Sequence, residues 1–137
     1  MSWHDNYVHA FRLQEGEWGS GKIILDIDYI LEWVKTDSNM QFRIVPASLV
    51  FLNVSELRMN LDYAASSAAH GPFSIHQIKR RSETRERYVA QIWSISINWP
   101  KGEFEFVATG FEQTAVGEPI LCNEQLLKPG QRKSILI

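Results

Sequence analysis

The sequence predicts an all-β protein, an antiparallel β-sandwich or barrel-like fold of about eight strands with little helix. Three observations carry that expectation. From Arg87 to Trp99 the chain alternates strictly: Val89, Gln91, Trp93, Ile95, Ile97 and Trp99 fall on one side, Tyr88, Ala90, Ile92, Ser94, Ser96 and Asn98 on the other. Pro100-Lys101-Gly102 then makes a tight hairpin turn, and Glu103 to Thr109 returns with Phe104, Phe106 and Ala108 on one face. Strand-like runs also recur at a spacing near ten residues, too short for the helical crossovers of a parallel sheet.

Taken in order, Tyr7 to Leu13 alternates Tyr7, His9, Phe11 and Leu13 against Val8, Ala10 and Arg12. Glu15 to Gly21 is a glycine-rich turn, followed by the longest apolar segment, Lys22 to Lys35. Lys35 to Asn39 is a polar loop. Three short strands are expected next, at Gln41 to Val45, Ser48 to Val54 and Glu56 to Tyr63, with Pro46 ending the first or placing it at an edge. Ala64 to His70 reads as a connection. Phe73 to Arg80 is a further strand, and Arg81 to Glu86 a charged hairpin tip. Gly110 to Ile137 is weakly patterned and reads as loop, with one short strand at Ser134 to Ile137.

The Lys22 to Lys35 stretch organises the rest. With period two, Ile23, Leu25, Ile27, Tyr29, Leu31 and Trp33 share one apolar face. Ile24, Asp26, Asp28, Ile30, Glu32 and Val34 share the other. A helical stripe of Ile23, Ile24, Ile27, Ile30, Leu31 and Val34 fits as well. Composition favours the strand, because isoleucine and aromatic residues suit a pleated surface and Asp is a poor helix-interior residue.

At 137 residues the chain is read as a single β domain, 1–137, long enough to bury a core. A net charge of −2 provides no whole-chain field for nucleic acid or an anionic membrane. The single cysteine, Cys122, excludes an internal disulfide framework and suits a reducing compartment, so a cytoplasmic location is expected. No basic and apolar leader opens the sequence, and no apolar run reaches ~18 residues.

Several residue groups are candidates for chemistry. Gly16 to Lys22 reads G-x-x-x-x-G-K, but Ile23 stands where a phosphate-binding loop needs Ser or Thr. Nucleotide binding through that loop is therefore not expected. Asp26 and Asp28, two apart on a strand, put carboxylates roughly 7 Å apart on one face, with Glu32 further along. Burying either unpaired is expensive, so this face is expected to be open to solvent or paired, and to recognise a basic protein partner. Trp3-His4-Asp5 with His9 places two imidazoles near a carboxylate, but no third or fourth ligand spacing supports zinc. Trp33, Trp93 and Trp99 occupy core-facing positions; Trp3 and Trp18 lie in terminal or turn contexts, where an exposed aromatic anchors a partner. Cys122 lacks a nucleophile motif, and the Lys79 to Arg87 cluster is interrupted by glutamates.

The opening Trp3-His4-Asp5-x-x-Val8-x-x-Phe11, followed by Leu25-Asp26-Ile27-Asp28-Tyr29, resembles small bacterial domains of unknown function, some of them similar to immunity proteins of contact-dependent toxin systems. The resemblance covers about the first third of the chain and transfers no functional residue. It implies an all-β cytoplasmic protein that binds another protein. The expected function is thus a binding domain without cofactor or metal, with Asp26, Asp28, Glu32, Trp3, His4, Asp5 and Trp18 as binding residues. The alternatives are a small-molecule binder or hydrolase using the carboxylates and a histidine in a sheet cleft, and a self-associating domain.

Overall fold

Eight antiparallel strands fill most of the computed structural model, which describes residues 2–64, 71–128 and 131. They are β1 (Tyr7–Glu15), β2 (Gly21–Lys35), β3 (Met40–Leu61), β4 (Phe73–Thr84), β5 (Val89–Ile97), β6 (Gly102–Val107), β7 (Gly110–Ala115) and β8 (Ile120–Cys122). Pairing runs β2–β1–β4–β5–β6–β3, and β3 pairs back onto β2. Six strands therefore close a circuit, which removes most of the exposed sheet edge. β7 and β8 extend the other side of β3.

The central stretch is a strand along its whole length, and the helical alternative is excluded. Ile23, Leu25 and Ile27 point into the closed sheet and are buried there with Leu49 and Phe51 of β3, Trp93 and Ile95 of β5, and Phe104 and Phe106 of β6. A barrel this small is filled by its own side chains. The alternation predicted for β2 holds as far as Tyr29. A register shift between Ile30 and Glu32 then reverses the faces, so Leu31 and Trp33 are about half exposed. Trp99 lies beyond the end of β5 and is also exposed, leaving Trp93 as the one of the three expected core tryptophans that is buried.

The three strands expected between Gln41 and Tyr63 are a single one. Pro46 does not end it, because its carbonyl accepts Val116 N–H at 2.7 Å on the side where β7 has finished at Ala115 and β8 has not yet begun. No neighbouring strand asks for the missing proline donor there. Asn53 and Glu56 adopt left-handed backbone, φ 53° and 52°, with a register shift in the β3–β6 pairing between Ser55 and Arg58. This bend hands β3 from β2, paired up to Val54, to β6, paired from Ser55.

Two further expectations are corrected. Arg81 to Thr84 is strand, paired with Val89 to Ile92, so the hairpin tip is displaced to residues 85–88. The weakly patterned stretch after Gly110 contains β7 and β8, whose side chains are exposed or half-buried except Cys122 and so leave little apolar alternation to read. The expected strand at Ser134 to Ile137, and residues 65–70 of the expected connection, lie outside the described residues.

A second, smaller core lies on the outer face of the β2–β3 pair. Ile30, Phe42 and Ile44 are covered there by Cys122 and Leu127. This cover decides the fate of the two aspartates.

Candidate functional site

The β1–β2 hairpin projects the most exposed large apolar side chain among the described residues. Ser20 N–H donates to Glu17 O at 3.1 Å, enclosing Trp18 at φ 59° and Gly19 at φ 78°. Two consecutive left-handed residues form the tight turn that suits strand twist, and Asn-Gly is its usual occupant. The turn needs its glycines: a Cβ on Gly21 would stand 2.3 Å from Gln14 O across the hairpin. The G-x-x-x-x-G-K spacing thus serves hairpin closure. Trp18 is the anomaly. A bulky residue in left-handed backbone costs about 1–2 kcal/mol, and its indole is 98% exposed, so packing within the described chain returns little. Glu15, Glu17 and Lys22 are exposed around it. Two clefts of about 530 Å³ each flank the hairpin, one bordered by Val54 and Leu57, the other by Leu52 and Asn53.

The expected acidic recognition face is not what β2 presents. Asp26 and Asp28 are both buried, covered on the outer side of the β2–β3 pair. Asp28 Oδ2 lies 2.6 Å from His9 Nε2 and accepts Leu127 N–H at 2.9 Å. Asp26 is likewise engaged rather than orphaned. Pairing makes burial tolerable, as a buried carboxylate requires. Glu32 alone of the three remains at the surface, 3.3 Å from Arg43 on the neighbouring strand.

The sequence matches no protein-family model and no curated protein.

The N-terminal candidates are drawn into the fold. Trp3 Nε1 donates to Gln113 Oε1 at 2.7 Å, and its ring meets Phe111 edge-on at 5.1 Å. Asp5, at φ 65°, accepts Asn98 Nδ2 at 3.1 Å and donates its backbone N–H to Ile75 O. His4 lies 2.6 Å from His76 O through Nδ1 and 3.4 Å from Asp5 through Nε2. These contacts pin the segment before β1 against β4, β7 and the residue after β5, while the His4 side chain stays about half exposed. Of the expected binding residues, Trp18 is the one left fully presented.

Other groups are committed as well. Burial raises the Cys122 thiol above its ordinary pKa, and the nearby Asp28 and Glu124 carboxylates add to this, so the thiolate needed of a nucleophile is disfavoured. Within the basic cluster, Arg81 and Arg85 are ion-paired with Glu56, Glu83 and Glu105. Among the described residues, no three His, Cys, Asp or Glu side chains converge as metal ligands. No helix there is long and apolar enough to cross a membrane. His9 is the residue that sequence reasoning underweighted. Its partnership with Asp28 depends on strand register, which alternation alone does not reveal.

Proposed function

We propose that this chain is a protein-binding domain, acting in the cytoplasm, and that the β1–β2 hairpin is its recognition element with Trp18 as the anchor. The observation that carries the reading is a fully exposed indole held in unfavourable left-handed backbone. Strain without compensating internal contact points to a role outside the fold. Tryptophan is the residue type most enriched at binding hot spots, and a projecting one enters a partner's pocket with little entropy to lose. Glu15 and Glu17 flank it, which favours a partner with a basic rim and disfavours an anionic lipid surface. An immunity-type role, in which one protein caps another, is the form of binding that the N-terminal resemblance implies.

A photo-crosslinking amino acid at position 18, with the same group at position 99 as control, tests this. The partner caught from position 18 is then purified and titrated. Trp18→Asn is expected to weaken its binding by about 2 kcal/mol or more, roughly thirtyfold in Kd. The same change should raise stability by about 0.5–1 kcal/mol, because Asn tolerates left-handed backbone. Equal crosslinking from both positions, or equal affinity of the variant, would reject the hairpin as the recognition element.

A further inference from the structure

β1 presents an unfilled sheet edge. It pairs with β2 along its length but with β4 only through Tyr7–Ser74 and Val8–Phe73, and beyond Val8 no described strand meets its other side. Phe11 registers with Leu25 and Leu13 with Ile23, so both point to the core side of the sheet, as cross-strand partners share a face. They are nevertheless 37% and 54% exposed. Met59 of β3, in register with the buried Phe104, is likewise 37% exposed. These core-facing side chains are uncovered because β1 and the end of β3 border the same clefts without pairing to each other. An open edge with apolar side chains beside it is a template for a further strand.

The same edge carries both halves of a self-complementary fit. Trp18 stands beyond its far end. Near its start a cleft of about 370 Å³ opens between Val8 to Phe11 of β1 and Leu61 and Phe73. When two copies of β1 pair antiparallel about a two-fold axis, the end of each lies beside the start of the other. Chemistry limits the register. Core-facing residues must oppose core-facing ones. An axis at Arg12 sets two guanidinium groups opposite each other, which is unfavourable. An axis at Phe11 drives Glu15 against Tyr7 of the second copy, where β4 already pairs. An axis beyond Leu13 shortens the pairing. An axis at Leu13 opposes Leu13 to Leu13, Arg12 to Gln14 and Phe11 to Glu15, and no like charges meet. Trp18, two to three residues or roughly 7–10 Å past Glu15, then reaches the stretch from Phe11 back to Val8 of the other copy, beside its cleft.

We propose that the partner of the hairpin is a second copy of this chain: the two β1 strands pair antiparallel across Leu13, and each Trp18 fills the other copy's cleft among Phe11, Leu61 and Phe73. The proposal rests on the reading of Trp18 as an anchor and supplies its pocket. Burial of the indole then offsets the left-handed strain at Trp18, once in each copy. One surface provides both anchor and pocket, so the assembly closes at two chains.

Sedimentation of the unmodified chain should give the mass of two chains at roughly 100 μM, with dissociation on dilution. Leu13→Lys, at an exposed position, sets two ammonium groups across the axis and should weaken the dimer by about a hundredfold; Trp18→Asn should weaken it by about thirtyfold. Leu13→Cys should form an interchain disulfide in air, and Arg12→Cys, off the axis, should not. Cys122 is buried and stays out of that exchange. A photo-crosslinker at position 18, in a mixture of ¹⁴N and ¹⁵N chains, should join unlike chains, with the new bond on residues 8–11, 61 or 73. A monomer at that concentration, a dimer indifferent to Leu13→Lys, or attachment of position 18 elsewhere on the second chain overturns the proposal. A monomer whose position 18 attaches to a different protein overturns the second copy alone and leaves the hairpin reading standing. A dimer weakened by Leu13→Lys but unchanged in Trp18→Asn removes Trp18 as the anchor, and the hairpin reading with it. The mass is read first on the unmodified chain, so the outcome does not depend on any variant folding.

Discussion

Phe51→Ala is expected to lower stability by about 4 kcal/mol. The ring is fully buried where the closed sheet is thickest in aromatic side chains. It meets Trp93 at 5.2 Å, Phe106 at 4.9 Å and Phe111 at 6.3 Å between centroids, the first two edge-on. Removing it takes away both the transferred apolar area and these ring contacts, each worth about 0.5–1.5 kcal/mol beyond area. The cavity left is bounded by several strands of a closed circuit, which cannot easily collapse into it. Phe51 pairs in register with Ile23 of β2 on one side and Phe111 of β7 on the other, so relaxation on one side strains the other. Chemical denaturation should show a lower midpoint at an unchanged m value. Trp99→Ala, at an exposed position, should cost no more than about 0.5 kcal/mol. A loss below about 2 kcal/mol for Phe51→Ala would mean that the aromatic cluster does not hold the barrel closed.

Asp28→Ala should be nearly as severe, at about 3 kcal/mol, or roughly 10 °C in Tm for a chain of this length. The carboxylate joins β2, the bulge in β1 and the segment after β8 at one point. Its removal leaves Leu127 N–H buried without its acceptor and releases the His9 ring. Asp28→Asn keeps an oxygen for Leu127 and should cost less, about 1–2 kcal/mol. Amide exchange at Leu127 should quicken in both variants, and more in the alanine variant, because this bond fastens Leu127 over Ile30, Phe42 and Ile44. Parent-like stability of Asp28→Ala would show that the carboxylate is not what fastens this segment.

This expectation reverses the one that β2 suggests in isolation. Two aspartates on the mixed face of a half-buried strand read as a solvated surface, and asparagine there should change little. Alternation reports which residues share a face, not what lies over that face. The cover here is Leu127, 99 positions further along, in a stretch with no periodicity of its own. The same limit explains Trp33. Its parity puts it with Ile23 and Leu25, but the register shift after Ile30 turns it outward, and a bulge leaves no mark in the apolar pattern.

What the sequence determined by itself is therefore local. The strands of β1, β2, β5 and β6 follow from period-two patterning, the hairpin after Trp99 from Pro100 and Gly102, and the β1–β2 turn from Gly16, Gly19 and Gly21, because each is set by interactions within a few residues. It also placed Trp18 in that turn as a candidate anchor. Only the tertiary structure decided that Trp18 stands fully exposed in left-handed backbone while Trp3 is stapled to Gln113. It decided too that three expected strands are one bent strand, and that His9 meets Asp28. Closure of the sheet is the physical reason: once β3 pairs with both β2 and β6, register and bulges set which side chains converge, and register is a property of pairs of strands, not of any one of them.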